Sequence, residues 1–379
     1  MRIGIDARFF GPVGKGLGRY TERLIENLER VGSEHEFVIF LRKENFDLYQ
    51  PKSARFRKVL ADFPWYSLAE QIRFPLLIAR ERINLMHFPH FNVPVCTPCP
   101  FVVTIHDLIL FRFPTRRAST LSAPMYALKY GAYLLTIRLA VRRAKKIIAV
   151  SEYTKNDIVR SLGVTAEKIV VTYEASDGVE AGQLTIPGTF DPLTRGIHRP
   201  YFLYVGNAYP HKNLERLLTV FKQLRASGVD AQLVLVGKMD YFYERLATEA
   251  EKLGLLKEKD VVFYGYATEA ELAGLYRNAR LYVFPSLLEG FGLPPLEAMR
   301  YGTPVAAADS SCLPEVLGDA ATYFNPEDTD AMVRALKNAF TDESLRRTLS
   351  DRGRSRAERY TWKECALRTY QTYLSSLRP

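Results

Sequence analysis

The residues that decide the fold are Leu281-Tyr282-Val283-Phe284-Pro285-Ser286-Leu287-Leu288-Glu289-Gly290-Phe291-Gly292-Leu293-Pro294-Pro295-Leu296-Glu297. The apolar run 281–284 reads as a buried strand. Pro294 and Pro295 suit a first helical turn, where a missing N–H costs nothing. Gly290 and Gly292 bring backbone amides ahead of that turn, and a helix start is a seat for an anion. Glu289 precedes the helix and Glu297 lies within it, eight residues on. Two readings stay open from these residues alone. Either two carboxylates flank an anion-ready helix start at different depths, or Glu289 is a turn residue and Glu297 complements the helix dipole.

Outward from this stretch, the same strand–loop–helix order recurs along the chain. Strands are expected at 2–6, 37–41, 56–60, 84–87, 101–105, 146–150 and 169–172, then at 201–205, 232–236, 261–264, 281–284, 304–308 and 321–324. Most are rich in Val, Ile, Leu, Phe and Tyr without alternation, as parallel strands covered on both faces should be. Amphipathic stretches such as 213–226 and 268–278 lie between them. Right-handed crossovers then give a doubly wound α/β fold. The pattern breaks near 176–200, where Gly178, Gly182, Pro187, Gly188, Pro192 and Gly196 cluster. The expectation is two Rossmann-like domains facing a central cleft. They comprise an N-terminal acceptor-side domain at 1–180, a linker at 181–200, and a C-terminal donor domain at 201–360. A last helix at 361–379 is expected to pack back on the first domain.

Composition narrows the class. The chain has 379 residues, of which 47% are hydrophobic and 25% charged, ordinary for a soluble globular protein and unlike a disordered or fibrous one. No signal-peptide pattern opens it and no run reaches the length of a spanning helix, so a cytoplasmic location is expected. The net charge of +10 is uneven: residues 1–180 hold 27 Lys and Arg against 18 Asp and Glu, while the remainder is nearly balanced. Residues 108–151 carry no acid and nine bases, Arg116, Arg117, Arg142 and Arg143 among them. Such a half is built to meet something anionic. An apolar, Tyr-rich middle at 121–139 edged by bases points to peripheral contact with an anionic membrane; a core helix and a merely steering charge are the competing readings. Cys96-Thr97-Pro98-Cys99 lies in a Pro-rich loop with no second pair, so structural thiols are expected rather than a zinc or redox site.

Two other loops follow strands. Gly14, Gly16 and Gly18 sit between strand 2–6 and a helix expected over 18–30. They would permit positive φ and close backbone approach. The dinucleotide pattern fails because Arg19 stands where its third glycine belongs, so a phosphate or sugar loop and a tight turn both fit. In Val205-Gly206-Asn207-Ala208-Tyr209-Pro210-His211-Lys212-Asn213, Asn213 reads as a helix N-cap. Lys212 beside a helix start opposes the dipole, a conflict that a shared anion removes. Asp328-Thr329-Asp330 is a D-x-D, but it opens a helix at 329–339 and reads as an N-cap, and no metal-ligand cluster appears elsewhere. No metal is therefore expected.

The E-x7-E run after Phe284-Pro285-Ser286 resembles the signature of glycosyltransferase family 4, of the GT-B fold. Gly16-Leu17-Gly18-Arg19-Tyr20, Thr104-Ile105-His106-Asp107-Leu108, Val150-Ser151-Glu152-Tyr153-Thr154 and Ser311-Cys312-Leu313-Pro314-Glu315 are similar to other stretches of that family. The resemblance is closest to bacterial mannosyltransferases that use GDP-mannose. It implies a retaining, metal-independent hexosyltransferase without a cofactor. The substrates implied are a nucleotide sugar and a hydroxyl of a saccharide or lipid-linked saccharide, in cell-surface polysaccharide synthesis. It places Glu289 at the donor sugar, Glu297 at the ribose, and the amides of Gly290, Phe291, Gly292 and Leu293 at sugar and diphosphate. It places Lys212 at the diphosphate, Gly16 and Gly18 in a loop closing on it, Tyr266 by the base, and His106 near the reacting carbon. Many members carry Arg where this chain has Asn207; Arg19 or His211 would then have to compensate. Rival classes are a UDP-sugar transferase, a nucleotide-sugar epimerase, and a non-catalytic polyanion binder. No nucleic-acid motif is present.

Overall fold

The computed structural model describes residues 1–32, 34–114, 122–176, 192–256 and 259–377, and leaves out the side chains of Val13 and Lys15. The chain divides into two compact units, Met1–Glu174 with Thr361–Pro379, and Ala175–Tyr360.

The first unit runs β1 (Arg2–Asp6), α1 (Lys15–Val31), β2 (Glu36–Leu41), β3 (Phe56–Leu60), α2 (Leu68–Arg80), β4 (Leu85–Phe88), β5 (Phe101–Ile105), α3 (Ile109–Arg112), α4 (Ala123–Arg143), β6 (Lys146–Ala149), α5 (Glu152–Leu162) and β7 (Ile169–Val171). Its sheet has the order β3-β2-β1-β4-β5-β6-β7, with neighbours parallel. The second unit runs β8 (Tyr201–Val205), α6 (Leu214–Ala226), β9 (Gln232–Val236), α7 (Tyr241–Lys252), β10 (Val261–Gly265), α8 (Glu269–Asn278), β11 (Leu281–Phe284), α9 (Leu293–Arg300), β12 (Val305–Ala308), α10 (Leu313–Leu317), β13 (Ala321–Phe324), α11 (Thr329–Thr341) and α12 (Glu343–Glu358). Its parallel sheet is ordered β10-β9-β8-β11-β12-β13. Both are Rossmann-like. Strands such as β5 and β9 are buried at every position, which is why their sequences do not alternate.

A doubly wound sheet opens a crevice where the strand order reverses, beyond the carboxyl ends of the strands. In the second unit that point lies between β8 and β11, so the loops at 206–213 and 285–292 leave the sheet side by side. In the first unit it lies between β1 and β4, beside the glycine-rich loop.

That loop differs from expectation. Among its glycines the positive φ belongs to Gly11, at 76°, and not to Gly14, Gly16 or Gly18. Gly14 and Gly18 are required for space: a Cβ would meet the Phe9 carbonyl oxygen at 2.1 Å and the Gly11 carbonyl oxygen at 2.0 Å, respectively. Gly16 would meet nothing and is exposed, because α1 starts at Lys15 and already contains it. The turn before α1 is pinned by Asn45, whose side-chain amide donates to the carbonyls of Ala7, Arg8 and Phe10. Arg8, fully buried, donates to Asp6 at 2.7 Å and to Glu70 at 2.6 Å.

Residues 192–200 pack into the second unit: Ile197 is buried, and Arg199 donates to Asp260 at 2.7 Å. The last helix, α13 (Trp362–Leu377), belongs to the first unit and lies against α1, with Tyr370 and Tyr373 on Phe37. The four cysteines are unbridged.

Candidate active site

The loop after β8 turns sharply at Gly206 and ends at Lys212 and Asn213. Asn213 occupies the N-cap position of α6 in the left-handed region, at φ 61°, but its side chain makes no cap bond. Its amide instead donates to the carbonyls of Pro285 at 3.2 Å and Pro326 at 2.8 Å. The predicted cap is thus a clamp that ties the loop to its neighbours. A second tie runs from Leu287 N–H to the His211 carbonyl at 2.8 Å.

These ties bring Lys212 and Glu289 together. Lys212 Nζ donates to Glu289 Oε1 at 2.6 Å, with the two side chains only 13% and 10% exposed. Losing one partner of so enclosed a pair leaves an uncompensated charge, which costs roughly 3–5 kcal/mol in buried pairs. Glu289 is held from the other side, its N–H donating to Ser311 Oγ at 3.1 Å, while Ser310 Oγ donates to the Ser286 carbonyl. Ser311 sits at φ 53°. Gly292, at φ 92°, caps the start of α9, and a Cβ there would meet Leu313 at 2.8 Å. Leu293, Pro294 and Pro295 form the first turn of α9. Gly290 and Phe291 are buried just before it, the Phe291 ring standing edge-on to Tyr360.

Glu297 lies one helical turn deeper and is nearly buried. Tyr276, in α8, donates its hydroxyl to Glu297 Oε2 at 3.0 Å. Lys212, Glu289 and the α9 start therefore form one cluster at the switch point, with Glu297 on the same helix. Asn207 and Tyr266 stand apart at the ends of β8 and β10, both exposed, Tyr266 at 79%. His211 cannot replace a missing cation while it stays in place, since burial with Lys212 beside it pushes its imidazole down to about 4. The carboxylate of Asp328 caps α11 by accepting from Ala331 N–H at 2.9 Å.

In the first unit His106 follows β5. Its Nδ1 faces Glu174 Oε1 at 2.7 Å and its Nε2 faces the Pro89 carbonyl at 2.9 Å. Both partners are acceptors, so only the imidazolium donates to both at once. Burial opposes that charge, but the Glu174 carboxylate and the Pro89 carbonyl outweigh it and the net shift is upward. Tyr20 stands edge-on to the ring at 4.7 Å. Behind it, a hydrogen-bonded row joins Tyr20, Thr104, His87 and Tyr373 of α13.

Sequence reasoning missed Tyr276, Ser310, Glu174, Tyr373 and the clamp role of Asn213. Glu174 had no local signal, being 68 positions from the histidine it holds.

Comparison with known proteins agrees with this fold. Residues 14–177 match the model of Glycosyltransferase Family 4 and residues 192–356 that of Glycosyl transferases group 1. A two-unit Rossmann-like fold with an E-x7-E helix start at its second switch point defines a glycosyltransferase. The chain belongs to glycosyltransferase family 4, of the GT-B fold. It is 29% identical to O-antigen chain mannosyltransferase B of Escherichia coli, over 94% of this chain and 95% of that protein. It is also 29% identical to the O-antigen chain mannosyltransferase RfbU of Salmonella typhimurium, over 86% and 88%. Among solved structures, sucrose-phosphate synthase of Thermosynechococcus elongatus superposes with a TM-score of 0.77 at 22% identity, covering 99% of this chain and 98% of that one.

Proposed function

We propose that the protein is a retaining, metal-independent mannosyltransferase. It moves mannose from GDP-mannose to a hydroxyl of a saccharide or lipid-linked saccharide in cell-surface polysaccharide synthesis. The observation that carries this reading is the enclosed Lys212–Glu289 pair beside the start of α9. The names of the E. coli and Salmonella relatives support the mannosyl donor.

On this reading the diphosphate meets Lys212 and the amides from Gly290 to Leu293, where cation and helix start stabilise the charge that grows on the leaving oxygen. Glu289 takes the sugar hydroxyls and Glu297 the ribose. His106 lies by the reacting carbon, Gly16 and Gly18 belong to the closing loop, and Tyr266 lies by the base. Asn207 leaves the 206–213 loop one cation short. The bond from the anomeric carbon to the diphosphate oxygen breaks, and its electron pair stays on the diphosphate. The acceptor oxygen bonds to that carbon from the same face, and its proton passes to a phosphate oxygen. Positioning and fixed charge account for catalysis without a metal or cofactor. Chelator is expected to leave activity intact; loss with EDTA that Mn²⁺ restores would overturn this.

The protein is further assigned to the cytoplasm, in peripheral contact with an anionic membrane through the bases around α4. Arg142, Arg143 and Lys145 are exposed there, while Arg116 and Arg117 lie outside the described residues. Among the described residues no helix is long and apolar enough to cross a membrane.

The deciding experiment is a thermal-shift panel of GDP-mannose, UDP-glucose and ADP-glucose, followed by product analysis with and without an oligosaccharide acceptor. GDP-mannose should give the largest shift, and transfer should require the acceptor. A larger shift with UDP-glucose would replace the donor, and isomerised nucleotide sugar without acceptor would indicate an epimerase.

A further inference from the structure

Helices α2 and α4 cover the same side of the first sheet. Phe74 and Ile78 of α2 and Tyr133, Ile137 and Val141 of α4 enter one core cluster with Phe88, Phe101 and Val103. The opposite faces of these helices should therefore be polar, as on an ordinary surface helix. They are not. On α2, Leu68, Ile72 and Leu76 repeat every four residues and are 81%, 63% and 66% exposed, forming one ridge. On α4, Met125, Leu128 and Leu135 are also exposed, Leu128 at 70%.

Charge on these faces has one sign. Arg73 and Arg80 flank the α2 ridge, and Lys129, Arg138 and Arg142 flank that of α4, all exposed. The acid of α2, Glu70, is fully buried against Arg8, and α4 contains no acid. Single exposed leucines need no explanation, but two ridges on one layer rimmed by bases do. A second copy of this chain is a poor occupant, because a twofold contact would set these bases against themselves. An anionic bilayer matches both features, an apolar interior under a negative surface.

We propose that the outer faces of α2 and α4 form a bilayer-docking surface. In it Leu68, Ile72 and Leu76 enter the acyl boundary, and the flanking arginines and lysine engage lipid phosphates. This rests on the membrane contact proposed above and adds to it an apolar anchor on a helix that charge alone does not single out.

The test is flotation with phosphatidylglycerol vesicles and with phosphatidylcholine vesicles, at low and high salt. Leu68→Ser/Ile72→Ser/Leu76→Ser removes only exposed side chains and should melt like the parent. It should lower recovery with anionic vesicles by about tenfold, since affinity scales with inserted apolar area as well as charge. Arg138→Ser/Arg142→Ser should lower recovery mainly at low salt and weaken its dependence on salt, because screening already removes that attraction from the parent at high salt. The fluorescence of an Ile72→Trp variant should shift to the blue on anionic vesicles and be quenched by brominated acyl chains, a readout that folding defects in the triple variant do not touch. If the parent floats and the triple variant floats equally, or the introduced indole is not quenched, the anchor is wrong while peripheral contact stands. If the parent fails to float at all, both readings fall. A dimer in solution that the triple variant dissolves would also overturn the proposal.

Discussion

The carboxyl edges of the two sheets hold charge in different ways. In the second unit the charged groups sit on loops and a helix start, enclosed but near the surface, and are paired across two adjacent switch-point loops. In the first unit the charged group is His106. It is locked between Glu174 and a backbone carbonyl, backed by a row of buried hydroxyls and a second histidine that reaches α13. The first arrangement is open to exchange: a ligand whose anion meets Lys212 and whose hydroxyls meet Glu289 can replace the contact between them. The second is pre-set, with every ring nitrogen already committed. The contrast assigns responsive charge to the second unit and fixed charge to the first.

The largest expected effect tests the responsive side. Glu289→Gln should cut turnover by more than about tenfold, or roughly 1.4 kcal/mol of barrier. Circular dichroism should keep the parent's shape while the melting temperature falls, because Lys212 is left enclosed without its carboxylate, so turnover is compared at temperatures where both proteins are folded. A loss below that size would place Glu289 outside the chemistry. Lys212→Ala should raise the Kd for GDP by about ten- to a hundredfold, in line with roughly 1.5–3 kcal/mol for a hydrogen bond to a charged group. Calorimetry with GDP alone reads this directly, and an unchanged Kd would break the comparison, since the lysine would then serve only its glutamate.

The difference also explains what could be read in the sequence. All thirteen strands stand within a residue or so of their expected places, because most are continuous apolar runs that owe nothing to distant partners. The E-x7-E cluster was legible for the same reason: its glycines, prolines and glutamates are one local segment. The first unit's site was not. His106 could be named from its motif, but Glu174, His87 and Tyr373 meet it or one another across 68 to 286 positions, and no local spacing encodes that. Two local inferences held only in part. Asn213 has the right residue type for a cap, yet its left-handed backbone turns the side chain away to Pro285 and Pro326. Gly14 and Gly18 are glycines for space rather than for φ, a distinction that needs the carbonyls of Phe9 and Gly11 in place.

Intermediate effects separate the sides by readout. Tyr276→Phe removes the hydroxyl that holds Glu297 and should raise the donor KM a few-fold, with stability lower by about 1 kcal/mol. Tyr373→Phe, at the far end of the first unit's row, should leave the donor KM unchanged. It should lower stability by about 1–3 kcal/mol, because His87 keeps a buried ring nitrogen without its hydrogen-bond partner. A change in donor KM for Tyr373→Phe would mean that the row is not merely structural.

The smallest effect is the pH dependence of stability, and its sign follows from histidines shifted in opposite directions: His87, His90 and His211 down, His106 up. Burial pushes His87 down to about 3, so it folds neutral; its contribution is present above the ordinary value of 6.5 and is lost as pH falls from there toward 3. His106 is shifted up by Glu174 and Pro89 against its burial. Its contribution is full below 6.5 and is lost as pH rises through the folded value. Urea midpoints should therefore decline on both sides of neutrality. Glu174→Gln keeps a hydrogen-bonding side chain but removes the charge, so it should flatten the alkaline decline and leave the acid decline, which belongs to His87, His90 and His211, in place. It should also move the ring-proton titration of His106 to lower pH in nuclear magnetic resonance spectra. An alkaline decline that persists in Glu174→Gln would show that His106 is neutral in the folded protein, and the first unit's edge would then carry no fixed charge at all.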